Sequence, residues 1–192
     1  MVITIKKAAI VGSLFLKYSY EMQNNDVKDK VNTGSDAPIH DDLRKLFRQL
    51  VPHFAFICEE VKDEKLIKKC LANPDDYLVR ADGEEMDETF LKYRVSEFEV
   101  QERKGYAFVT ISGAKQLSTG EEIYFTTPSI DADGDYKFLS DLNSTIENLK
   151  EEVILYMQGK HAPKAQFEMF AEEDSNEEAG SAFVSSEEDN QE

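Results

Sequence analysis

From Val2 to Tyr20, VITIKKAAIVGSLFLKYSY, apolar and polar side chains trade places along the chain, with one break near Gly12. Alternation of this kind marks strands with one buried face, so one or two β segments are expected there. The next stretch, EMQNNDVKDKVNTGS, offers a turn at Asn24-Asn25 and a short return strand from Val27 to Asn32. A hairpin therefore opens the chain.

The period then lengthens. In SDAPIHDDL, Pro38 precedes Asp41 and Asp42, two carboxylates placed where a helix N-terminus favours negative charge. Leu43, Leu46, Phe47, Leu50, Phe54, Ile57, Cys58 and Val61 follow at spacings of three and four. Pro52 lacks an amide donor and is expected to kink or split this helix. A shorter helix, Glu64 to Leu71, turns Leu66, Ile67, Cys70 and Leu71 inward and its lysines outward, and stops near Asn73-Pro74. Asp75 to Glu88 reads as a polar connector.

A period of two returns with Leu91, Tyr93 and Val95, then Phe98 and Val100, and the slip around Ser96 predicts a β-bulge. QERKGY and LSTGEE turn the chain into strands at Tyr106 to Ile111 and Ile123 to Thr127. A last helix is expected from Tyr136 to Gln158, with Leu139, Leu142, Ile146, Leu149, Val153 and Tyr156 on one stripe and Gly159 as its stop. The order β-β-α-α-β-β-β-α predicts a single α+β domain over residues 1–164. Its antiparallel sheet would have about five strands, with helices on one face.

Charge divides the chain. From Ala165 to Glu192 there are ten carboxylates and no Lys or Arg, which leaves 22 cations against 29 carboxylates before it. Few apolar groups and charge of one sign cannot outweigh the entropy of ordering, so residues 165–192 are expected to form a disordered acidic tail. Across the whole chain 41% of residues are hydrophobic, enough for a core, yet no apolar run approaches the roughly 20 residues of a membrane span. Lys6 and Lys7 ahead of an apolar run imitate a signal peptide, but the strand alternation and the lack of a small-residue cleavage site favour a strand. Cys58 and Cys70 in apolar helical settings point to a reducing, cytoplasmic compartment.

Chemistry-bearing motifs are scarce. DADGD, Asp131 to Asp135, suggests a calcium loop, but the sixth and twelfth positions hold Tyr136 and Leu142 instead of Gly and Glu. His40, His53, Cys58 and Cys70 lack paired zinc spacing, and His161 sits where a helix ends. Nucleophile-elbow, P-loop, dinucleotide and zinc-protease signatures are missing from the sequence. A binding protein without catalytic residues, metal or cofactor is the expectation.

Two surfaces could carry the binding. If Leu91, Tyr93, Val95, Ile123 and Phe125 face the helices, the open sheet face displays Lys92, Arg94 and Tyr124, and in one register Phe15 and Lys17. Aromatics beside cations hold single-stranded nucleic acid, although Glu97, Glu99 and Glu122 would share that face and repel phosphate. The second surface is QFEMF. Gln166, Phe167, Met169 and Phe170 resemble the bacterial sliding-clamp-binding peptide, usually Gln-Leu-Ser/Asp-Leu-Phe in a flexible terminus. Gln166 and Phe170 match the pattern, while Phe167 and Met169 replace one large apolar group by another. A peptide that orders only on entering a preformed pocket suits a tether; the competing reading makes the same residues a strand or anchor packed on the domain.

The acidic end is similar to the tails of bacterial and phage single-stranded-DNA-binding proteins, without their terminal aromatic, since Phe183 is internal. APIHDDLRKLFRQLVPHFAFICEE with the β-β-β-α end resembles uncharacterised phage proteins of replication and recombination gene sets. The resemblance implies a non-enzymatic accessory of phage DNA replication or recombination that binds a sliding clamp or another replication protein. Two alternatives remain open at this point: a single-stranded-DNA-binding protein with a regulatory tail, and an acidic DNA mimic that blocks a defence enzyme.

Overall fold

The computed structural model describes residues 2–24, 27–79 and 87–163. Its strands and helices follow in the order β1 (Val2–Val11), β2 (Phe15–Asn24), β3 (Val27–Gly34), α1 (Asp41–Gln49), α2 (Val51–Ile57), α3 (Glu64–Ala72) and α4 (Asp75–Leu78). After these come β4 (Tyr93–Arg103), β5 (Tyr106–Gln116), β6 (Glu122–Thr126), β7 (Ile130–Asp131) and α5 (Leu139–Met157). The α+β class holds, with seven strands in the sheet where about five were expected.

Local chemistry sets most boundaries. Gly12 (φ 55°) and Ser13 (φ 56°) both take the left-handed backbone that a tight hairpin turn requires, which separates β1 from β2. The α1 N-cap is His40, whose Nδ1 accepts from the Asp42 amide at 3.2 Å, with Asp41 and Asp42 in the first turn. Pro52 splits the expected long helix. It sits in the first turn of α2, where its missing N–H costs no internal bond, and Leu50 joins the two helices. Asp63 caps α3 by accepting from the amides of Lys65 and Leu66.

All pairing in the sheet is antiparallel, in the order β3-β2-β1-β4-β5-β6, with β7 on β5 beside Phe108 and Val109. Two meanders, β1-β2-β3 and β4-β5-β6, meet along Lys7 to Ala9 of β1 and Glu97 to Glu99 of β4. The register shift predicted around Ser96 lies between Val95 and Glu97, and another lies between Ile5 and Lys7.

One face of the sheet carries the core. Ile5, Ala8, Leu16, Tyr93, Val95, Phe98, Val109 and Ile111 are buried against Leu43, Phe47, Phe54, Leu142, Ile146, Leu149 and Val153 of the helices. Phe47 packs at 6.0 Å from Phe98, and Phe54 stacks on Phe125 at 4.5 Å. Burying each such side chain contributes roughly 1.5–3 kcal/mol. Gly113 permits the Phe54 contact, because a Cβ there would lie 2.3 Å from the Arg94 carbonyl oxygen and 3.1 Å from Phe54 Cζ.

Three elements depart from expectation. Leu91 and Lys92 form a turn before β4 rather than its first residues. Helix α5 begins at Leu139 rather than Tyr136. The Tyr136 ring instead joins Phe56 and Phe138, and its hydroxyl meets His53 Nδ1 at 3.0 Å. Within the expected polar connector, α4 forms directly after Pro74. Among the described residues, no helix is long and apolar enough to cross a membrane.

Candidate functional site

Strand alternation and the observed register fix what the uncovered face presents. In one row across the sheet stand Gly34, Lys17, Ala9, Glu97, Ser112 and Thr126. The neighbouring row toward the β1–β2 turn holds Phe15 opposite Val11, and Arg94, Ala114 and Tyr124 on the other meander. The register that exposes Phe15 and Lys17 is therefore the one adopted. Glu97, Glu99 and Glu122 share the face, as alternation requires.

The charges on this face neutralise one another. Lys7 lies 2.8 Å from Glu97 and 3.9 Å from Glu99. Glu21 stands between Lys6 and Lys30, each at 3.4 Å. Burial alone would raise the Glu21 pKa; the two ammonium groups outweigh it and hold the carboxyl below its ordinary value. Arg94 donates to Glu122 at 2.7 Å and to the Tyr124 hydroxyl at 3.3 Å, while Tyr124 donates to Glu122 at 2.5 Å. That last bond raises the Tyr124 pKa.

Lys17 differs. Among the described residues no carboxylate lies within ion-pair distance of it, and its stem runs over Gly34, where an added Cβ would touch Lys17 Cγ at 3.4 Å. Lys17, Lys7 and Glu97 line a shallow groove of about 440 Å³ together with the small residues Ala9, Ser19 and Gly34. Lys7 was not among the residues singled out from sequence. The hairpin register places it opposite Ser19, two pairs along from Lys17 and on the same face, and that register was the signal that could have found it.

The four sequence-predicted residues of this face do not converge. Tyr124 lies four strand positions from Lys17, roughly 19 Å at ordinary strand spacing. Arg94 and Tyr124 meet through Glu122, but Lys92 belongs elsewhere. Its Nζ sits 5.4 Å from the centre of the buried Tyr93 ring, beside a cluster in which Tyr93 donates to Glu60 at 3.3 Å and Lys115 pairs with Glu60. Burial first, then the Glu60 charge, push the Tyr93 hydroxyl up to about 12. Because Lys92 lies in the turn before β4, strand alternation does not fix its direction.

The DADGD segment serves a turn: Asp131 accepts from the Asp133 amide through Oδ1 at 3.0 Å and from the Gly134 amide through its carbonyl at 3.1 Å. Among the described residues no three His, Cys, Asp or Glu side chains are grouped to hold a metal ion. Cys70 is buried and Cys58 partly so; burial pushes the two thiols up to about 12 and about 11.

At the other candidate surface the chain leaves α5 from a fixed point. Gly159 adopts φ 104° and the Lys160 amide returns to the Leu155 carbonyl, a left-handed helix stop. Lys160 bridges Asp42 at 2.7 Å and Glu152 at 2.9 Å, and His161 pairs with Ile39 and packs on Tyr156 at 4.8 Å. Gln166, Phe167, Met169 and Phe170 lie outside the described residues, as does the acidic tail.

No protein-family model, curated protein or solved structure matches this chain.

Proposed function

We propose that this chain is a non-enzymatic, cytoplasmic accessory of phage DNA replication or recombination that docks on a sliding clamp through Gln166, Phe167, Met169 and Phe170. The observation behind this reading is positional. Residue 166 comes five residues after His161, which pairs with Ile39 of the folded domain. A short apolar peptide that orders only on entering a preformed pocket suits a position just beyond a folded domain in the chain. The full-length protein should bind a purified bacterial sliding clamp, and the same chain carrying Gln166→Ala, Met169→Ala and Phe170→Ala should not. Equal retention of the two on immobilised clamp would refute clamp docking through these residues.

Single-stranded DNA binding is the second reading, and the Lys17–Lys7 groove on the open face favours it. On this reading affinity falls steeply as salt rises and increases when the chain is ended after Lys164, because ten negative charges are removed. Absence of binding by both forms at low salt would eliminate it. The DNA-mimic reading has less support, because among the described residues the open-face carboxylates Glu21, Glu97, Glu99 and Glu122 are matched by Lys6, Lys7, Lys30 and Arg94.

A further inference from the structure

In an acidic protein, the concentration of arginine around one cavity stands out. Beside α1, where the first residues of β4 pass the β1–β2 turn, lies a cavity of about 310 Å³. Arg44 and Arg48 line it from α1, Arg94 from β4, and Ser13 and Ser96 complete its polar lining; among the described residues none that lines it is acidic. Phe47, Val51, Phe90 and Val95 are among its apolar walls. Its size falls at the lower end of the range for small-molecule pockets.

The arginines are held in place differently. Arg44 donates to the Ser13 carbonyl at 2.5 Å and lies 3.8 Å from Asp41, with its side chain only 13% exposed. Arg94 keeps its guanidinium on Glu122 and so stands at the rim. Arg48 is exposed, one helical turn from Arg44, and no carboxylate among the described residues pairs with it. Like charges at this spacing repel. Burial first, then the Arg48 charge, pull the Arg44 pKa below its ordinary value, against the pull of Asp41.

We propose that this cavity binds a phosphomonoester carried on a small apolar or aromatic body, of mononucleotide size. Two neighbouring guanidiniums and two hydroxyls suit an acceptor-rich group of charge near −2, which a phosphomonoester supplies at neutral pH and a single carboxylate does not. The apolar walls leave a place for the organic body. Ser13, in the β1–β2 turn, and Ser96, at the bulge of β4, both line this space. The ligand's source is either a free nucleotide or the 5′-phosphorylated end of a strand. Neither depends on the clamp-docking reading.

Calorimetry on the full-length protein at low salt tests this with a nucleoside 5′-monophosphate, the matching nucleoside, inorganic phosphate, and an oligothymidylate with and without a 5′-phosphate. The monophosphate should bind more tightly than both nucleoside and inorganic phosphate. Arg48→Glu should weaken it by about tenfold or more, the scale of one lost charged hydrogen bond. Lys45→Glu makes the same charge change on an exposed position of the same helix and should leave affinity nearly unchanged. Preference for the phosphorylated oligonucleotide over the mononucleotide would assign the site to strand ends, and the reverse to a free nucleotide. The proposal is overturned if none of the phosphate compounds binds, if inorganic phosphate binds as tightly as the nucleotide, or if Lys45→Glu weakens binding as much as Arg48→Glu.

Discussion

The two faces of the sheet obey different physics. On the covered face, aromatic and aliphatic side chains interlock, and the one fully buried histidine, His53, is held neutral by its surroundings. On the open face the same strands present Lys7, Glu97, Glu99, Arg94 and Glu122 in partly exposed pairs that salt and water screen. Stability should therefore be concentrated on one side, while substitutions on the other change recognition without unfolding the protein.

The largest effect should come from the middle of the covered face. Phe54 is fully buried and stacks on Phe125 at 4.5 Å. Phe54→Ala removes that stack and leaves a cavity, at a cost of about 3–5 kcal/mol. Urea unfolding followed by circular dichroism measures it directly. A loss below 1 kcal/mol would mean that the two faces are not so unequal.

Next comes His53. Burial lowers its pKa to about 4, against an ordinary value of 6.5. Between those values the unfolded chain binds a proton that the folded one does not, so stability falls as pH falls from 6.5 toward 4. Above 6.5 the residue makes no difference to the slope. The full difference corresponds to about 3 kcal/mol. Carboxylates also titrate in the lower part of this window, so the informative comparison is with His53→Gln, which can still bond Tyr136 but cannot titrate. Its stability should decline less between pH 6.5 and 4; superimposable profiles would contradict a neutral buried imidazole.

Gly113 tests how closely β4 and β5 must approach. A Cβ at that position would meet the Arg94 backbone carbonyl, which cannot swing aside as a side chain would. Gly113→Ala should cost about 1–3 kcal/mol by forcing the bulge at Ser96 to shift. Calorimetric melting reads that loss, and an unchanged midpoint would show that the bulge gives way easily.

What could be read from sequence was mostly local. Gly12, Ser96, Pro52 and Gly159 each impose a backbone rule that acts within a few residues, and each marks a real break, bulge, split or stop. Long-range placement was less legible. β7 consists of Ile130 and Asp131, which pair with Val109 and Phe108 on the part of the β5 edge that β6 leaves uncovered. Alternation put Arg94 and Tyr124 on the open face, and Lys17 there in one of two registers, but it could not show that β1, β4 and β5 separate Lys17 from Tyr124. The α1 arginines were not singled out from the sequence. Their spacing of four in RKLFR was visible, but the chain gave no sign that the Ser13 turn and the start of β4 would close a cavity over them.

The smallest effect on stability should come from Glu122→Gln, and it bears most directly on the contrast between faces. Glu122 accepts from Tyr124 and Arg94, and these bonds, Tyr124 first, hold its pKa below the ordinary value despite some burial. The pair's contribution is present above the ordinary carboxylate pKa and disappears as pH falls through the depressed one. With Arg94 48% exposed and Glu122 31% exposed, the substitution should cost less than about 1 kcal/mol. It should also release the Arg94 guanidinium and remove a negative charge beside it. If the open face holds single strands, affinity for oligothymidylate should rise in the variant, and the dependence of log affinity on log salt should steepen by about one phosphate contact. If affinity and salt dependence both stay at the wild-type values, Arg94 and Tyr124 do not belong to a nucleic-acid site. The Lys17 groove would then be the part of this face still to be tested.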